Sequence, residues 1–89
     1  MTMITTRYKE AADLVDRMGA QHALDLETLV QSGQLAMDTL GDAVVRCAGC
    51  TDPAGCGAWL DAQAEPVTQG PTMCRNQPLF DLLREGKSA

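Results

Sequence analysis

Aromatic side chains are nearly missing from this chain of 89 residues, which has only Tyr8, Trp59 and Phe80. A core built without them must be filled by Leu, Val, Ala and Met, a composition that suits helices better than strands. No segment approaches the roughly 18 to 20 consecutive apolar residues of a membrane span, and no basic region followed by an apolar run opens the chain. Neither a transmembrane helix nor a secretory signal is therefore expected, and the chain reads as cytoplasmic. Positive charge is also scarce: seven Lys and Arg stand against 12 Asp and Glu, for a net charge of -5. Such a field repels a phosphate backbone, so nucleic acid is not an expected partner. There is no phosphate-binding glycine loop, no Ser-His-Asp set, no H-E-x-x-H and no distinctive carboxylate pair. The chain is accordingly not expected to be an enzyme.

What is present is cysteine, all of it in one half. Cys47, Cys50, Cys56 and Cys74 follow the spacing C-x2-C-x5-C-x17-C. In a reducing compartment four such residues argue for a metal or redox site over a disulfide framework. Thiolates are soft, charged ligands suited to zinc or iron-sulfur clusters, and two of them separated by two residues reach one centre without distorting the chain. A site of this kind would also support a domain whose size leaves a hydrophobic core only marginally sufficient.

The periodicity predicts an all-α fold, a small bundle of four to five short helices around a four-cysteine metal or cluster site. The opening Met1-Thr2-Met3-Ile4-Thr5 is similar to the start of bacterial beta-galactosidase, so residues 1–5 are expected to be a disordered or vector-like leader. Residues 6–85 form the expected single helical domain. Thr6 caps a first helix with Tyr8, Ala11, Ala12, Val15 and Met18 on its apolar stripe, ending at Gly19. A second helix spans about Gln21 to Gln31. A third starts near Leu35 or Ala36, continues through Gly41 and carries Leu35, Leu40, Val44 and Cys47 inward, with Met37, Ala43 and Val45 widening that face. Cys47 through Cys50 then form a turn. Thr51-Asp52-Pro53 starts a fourth helix that runs to about Ala64, with Cys56, Trp59, Leu60 and Gln63 on one face. Glu65 to Met73 is a loop returning the chain to the site, and Asn76 caps a last helix carrying Leu79, Phe80, Leu82 and Leu83. Residues 86–89 are expected to be a frayed tail.

Zinc sites commonly use two closely spaced ligand pairs, and the second pair is missing here. Three clustered cysteines with a distant fourth is a frequent layout for a cubane cluster, which places a 4Fe-4S cluster ahead of Zn among the expected cofactors. The C-x2-C-x5-C portion resembles the last three cysteines of the cluster loop in DNA glycosylases of the endonuclease III type, over Cys47 to Cys56 only. Trp59 and Phe80 are candidates to screen the centre from water, although each is also a natural core residue. His22 is a candidate fifth ligand, but its place on a helix flank far from the cysteines reads as a solvated or capping histidine. Arg46 and Arg75 each adjoin a cysteine, where positive charge favours thiolates. Met18 and Met37 are read as core filler.

Arg46-Cys47, Gly49-Cys50-Thr51-Asp52-Pro53, Cys56, Trp59-Leu60, Cys74, Asn76 and Leu79-Phe80 together give the pattern R-C-x-G-C-T-D-P-x-x-C-x-x-W-L followed by C-x-N-x-x-L-F. This pattern, across roughly Met18 to Leu83, resembles small bacterial proteins catalogued as domain of unknown function 6455. The resemblance implies four ligand-like cysteines and brings no established activity. The expectation is a small iron-sulfur protein acting as electron carrier or redox sensor with a protein partner. The alternative is a zinc-stapled helical module that binds another protein.

Overall fold

The structure, a computed structural model, describes residues 2–67 and 69–89, with side chains from residue 7 onward except that of Thr68. Five helices follow one another: α1 (Thr2–Gln21), α2 (Leu26–Gln31), α3 (Met37–Ala48), α4 (Pro53–Asp61) and α5 (Gln77–Arg84). No strand occurs among the described residues. The principal extents of the backbone are 34, 30 and 17 Å. The short dimension leaves room for two layers of helices, each about 10 Å across. α1 lies chiefly against α3 and also touches α4 and α2. The core gathers Val15, Met18, Leu26, Leu35, Ala43, Cys56, Leu60, Phe80 and Leu83. No helix among the described residues is long and apolar enough to cross a membrane.

α1 departs from the expected bounds at both ends. It is already helical at Thr2, so Thr6 lies inside the helix instead of capping it, and residues 2–5, expected as a leader, are part of α1. Once a helix is nucleated each further residue adds a hydrogen bond, so one extra turn extends it without a new nucleus. Gly19, the expected stop, also lies within α1. A Cβ there would stand 2.9 Å from Leu26 Cγ, so this glycine admits the side chain of α2 instead of ending the helix. α1 ends two residues later, where Leu24 N–H donates to Gly19 O at 2.9 Å and Ala23 N–H donates to Ala20 O at 3.0 Å. This pair of bonds closes the helix on a left-handed residue, and Ala23 occupies that position with φ 61.

The turn consumes residues expected to be helical, and α2 is left with six. Asp25 caps it, accepting from Thr28 N–H at 3.2 Å. α3 runs through Gly41 as expected and stops at Gly49, but only part of its broad apolar face is covered. Ala43 is fully buried, whereas Met37 is 66% and Val45 57% exposed, so neither is core filler. Tyr8, placed on the stripe of α1, is 43% exposed. α4 ends at Asp61, short of the expected Ala64, and Ala62, Gln63 and Ala64 lie outside the core cluster.

The C-terminal residues, expected to fray, are hydrogen-bonded to the segment between α2 and α3. Ala36 N–H donates to Ala89 O at 2.8 Å, and Ala89 N–H donates to Gln34 O at 2.9 Å. The Gln34 amide adds a bond of 3.1 Å to Lys87 O. Ala89 also packs against the core. The segment between α2 and α3 needs partners for its backbone groups, and the tail supplies them.

Candidate functional site

Three pieces of chain bring the cysteines together. Cys47 is in the last turn of α3, and Cys50 follows the Gly49 cap with its N–H donating to Cys47 O at 3.0 Å. Cys56 sits on the first turn of α4, and Cys74 lies in the loop that precedes α5. Cys56 is buried and the other three are half-buried, and all four are free thiols. The Cys50 thiol points to Met73 O at 3.8 Å, which links the turn after α3 to the loop carrying Cys74.

The start of α4 follows from Asp52-Pro53. The Asp52 carboxylate accepts from Gly55 N–H at 2.9 Å, and Pro53 occupies the first turn, where its missing N–H costs nothing. A Cβ on Gly55 would overlap the capping carboxylate, so a larger residue there would displace the cap. The cap points α4 so that Cys56 faces the core.

The thiols act on one another. Burial pushes the Cys47 thiol up to about 11, and the charges of Cys56, Cys50 and Cys74 press in the same direction. Burial also raises Cys56, followed by Cys74 and Cys50, while Arg17 pulls it down and Asp52 pushes it up. Cys47 and Cys56 thus each lie within electrostatic reach of the other cysteines. At neutral pH Cys47 without a metal is a thiol, so a cation binding here must displace its proton.

A closed ligand cage is not formed. Among the described residues no group of three or more His, Cys, Asp or Glu side chains is gathered to hold a metal ion, so the expected four-cysteine metal site is not formed as a coordination shell. As a donor set, four sulfurs from three segments fit zinc or an iron-sulfur centre by ligand softness.

His22 does not join them. It is 1% exposed, stacked on Phe80 with ring centroids 5.1 Å apart, and its Nε2 lies 3.4 Å from the Gln77 amide nitrogen. The sequence reading of a solvated or capping histidine is therefore corrected to a core histidine. Its burial follows from the turn after α1, which tucks residue 22 inward. Phe80 spends one face on this stack, and Trp59 is half-buried against the cluster that includes Cys56.

Asn76 and several arginines lie near the cysteines; Arg46, Arg75 and Asn76 are legible beside them in the sequence, whereas Arg7 and Arg17 are not. Asn76 stands at the start of α5 but does not cap it. It is 3% exposed, donates through Nδ2 to Ala43 O at 2.9 Å, and accepts at Oδ1 from Arg46 Nε at 2.9 Å. Thus Arg46 meets Asn76, and the pair ties α3 to the segment two residues beyond Cys74. Arg7 Nε donates to Ala48 O at 2.6 Å at the C-terminus of α3. Arg75 Nη1 would lie 3.6 Å from a Cβ on Gly49. Arg17 acts on Cys56 while pairing with Asp61 at 2.7 Å. Four of the seven Lys and Arg of an acidic chain thus border the cysteines. The spacing of Arg7 and Arg17 from the cysteines, more than 25 residues in each case, hid them from a local reading.

These features define a small all-helical domain with four free thiols in its C-terminal half. The chain belongs to the Family of unknown function (DUF6455), whose model matches residues 2–86. No curated protein and no solved structure matches the chain.

Proposed function

We propose that this chain is a small iron-sulfur protein, with Cys47, Cys50, Cys56 and Cys74 as cluster ligands, serving as an electron carrier or redox sensor for a protein partner. The observation that supports this reading is four free thiols at the end of α3, in the turn after it, at the start of α4 and in the loop before α5, with Cys47 in electrostatic reach of the other three. Three locally clustered cysteines and one remote cysteine suit a cubane centre, and the half-buried setting leaves one side near solvent for electron exchange. A bound cluster supplies reversible one-electron chemistry. The chain's own residues do the rest. Cys56 and Trp59 exclude water on the core side, and Arg17, which acts on Cys56, offsets part of the negative charge that thiolates carry.

A zinc staple is the second reading, favoured by one observation. α5 forms no broad interface with any other helix and is held through Phe80, Leu83, Asn76 and Gln34. Joining Cys74 to Cys47, Cys50 and Cys56 would tie the segment before α5 to α3 and α4, which is the work of a structural metal. Anaerobic purification without metal-affinity columns, followed by iron, sulfide and zinc analysis, separates the two. Brown protein with stoichiometric iron and sulfide supports the cluster, and colourless protein with one zinc, repeated anaerobically, supports the staple. Cys50→Ser or Cys56→Ser should lower metal content and destabilise the fold. Full metal content and unchanged melting in both variants would refute a single four-thiol centre.

A further inference from the structure

We infer that the apolar groove between α1, α2 and α3 is a docking site for a basic amphipathic helix of a partner protein. The groove encloses about 590 Å³, within the range of clefts that hold ligands, about 300 to 1,000 Å³. Each helix contributes apolar residues at helical spacing: Ala12 and Val15 from α1, Leu26 and Val30 from α2, and Met37, Leu40 and Val44 from α3. Met37 and Val44 are two turns apart, about 10 Å at 1.5 Å per residue, which matches a two-turn apolar stripe on an incoming helix. Met37 is 66% exposed, an unusual position for a methionine with a core to enter, and a flexible thioether adapts well to an apolar partner.

Charge decides what kind of helix fits. Asp13, Asp16 and Glu27 line the edges, all exposed, and none of the lining residues is Lys, Arg or His. An acidic rim around an apolar floor selects an apolar face flanked by lysine or arginine, and repels a second copy of this chain, whose net charge is -5. The groove lies on α1, α2 and the front of α3, apart from Cys50, Cys56 and Cys74, so this site goes beyond the four-thiol reading and stands whether those thiols hold iron, zinc or nothing.

The test uses the full 89-residue chain and a fluorescein-labelled peptide of about 14 residues, with leucines at positions i, i+3, i+4 and i+7 and lysines between. Anisotropy should show saturable binding at least about tenfold tighter than for the same peptide with serine in place of leucine or glutamate in place of lysine. Amide shifts in labelled protein should change along residues 12–16, 26–31 and 37–44. Met37→Lys should weaken binding about tenfold, whereas Val45→Lys, on the same helix but outside the groove, should leave it unchanged. Asp16→Asn with Glu27→Gln should weaken binding and flatten its salt dependence while leaving the apolar floor intact. Equal binding of the serine peptide would reduce the effect to bulk charge and overturn the proposal. So would absence of binding, shifts confined to other surfaces, equal loss in Val45→Lys, or a dimer of this chain mapped to the groove.

Discussion

Replacing Asn76 with alanine should loosen the cysteine end of the molecule more than its single amide suggests. The side chain is 3% exposed and bridges Ala43 O and Arg46 Nε, each at 2.9 Å. Loss of the neutral bond costs about 1 kcal/mol. The bond to the Arg46 guanidinium would be worth about 1.5 to 3 kcal/mol if buried, and about 1 kcal/mol here because Arg46 is exposed. Unfilled space at a buried position adds about 1 kcal/mol. The sum is about 3 kcal/mol, or a fall in Tm of about 10 to 20 °C for a domain of this size. Urea melts followed by circular dichroism would measure it, with Arg46→Ala and the double variant completing a cycle whose coupling should be about 1 kcal/mol. Metal content in the same preparations reads the consequence for Cys74. A loss below about 0.5 kcal/mol, or a coupling near zero, would refute the view that Asn76 joins α3 to the Cys74 segment.

Ala23→Gly should stabilise the protein. Ala23 holds φ 61 at the left-handed position that closes α1, which costs a Cβ-bearing residue about 1 to 2 kcal/mol, and the extra freedom of glycine in the unfolded chain returns about half of that. A rise in Tm of a few degrees is expected, and a fall would mean the turn is not left-handed in solution. His22 should make the fold acid-sensitive. Burial lowers its pKa from 6.5, Arg84 lowers it further, and the Val67 backbone and Asp81 oppose them. Above pH 6.5 both folded and unfolded chains keep it neutral and its contribution is constant. As pH falls below 6.5 the unfolded chain takes up the proton first, so stability should decline towards the lowered folded pKa and level off beneath it. Urea midpoints between pH 5 and 7.5, compared with His22→Gln, would show the slope disappearing in the variant, and an identical slope would assign it elsewhere.

The sequence alone was enough to determine the helical class, the order of the five helices and the cap that starts α4. Those features are local: scarce aromatics, an apolar repeat of 3.6 residues, and Asp52-Pro53 placed where a helix needs an acceptor and tolerates a missing donor. The four cysteines stood out for the same reason, since three lie within ten residues and announce themselves by spacing. Tertiary structure decided what local spacing does not carry. Gly19 reads as a stop in isolation, but the packing of Leu26 gives it a place inside α1. His22 reads as a flank residue until the turn at Ala23 folds it onto Phe80. Asn76 reads as a cap until α3 arrives to offer Ala43 O and Arg46 as stronger partners. The tail reads as loose until Gln34 and Ala36 present unpaired backbone groups to it. Met37 and Val45 read as core because amphipathic periodicity shows which face is apolar but not how much of it the neighbours cover. Backbone preference and helical period act over a few residues and so are written along the chain, whereas burial, cross-chain hydrogen bonds and the company each cysteine keeps depend on segments distant in sequence and exist only once they pack.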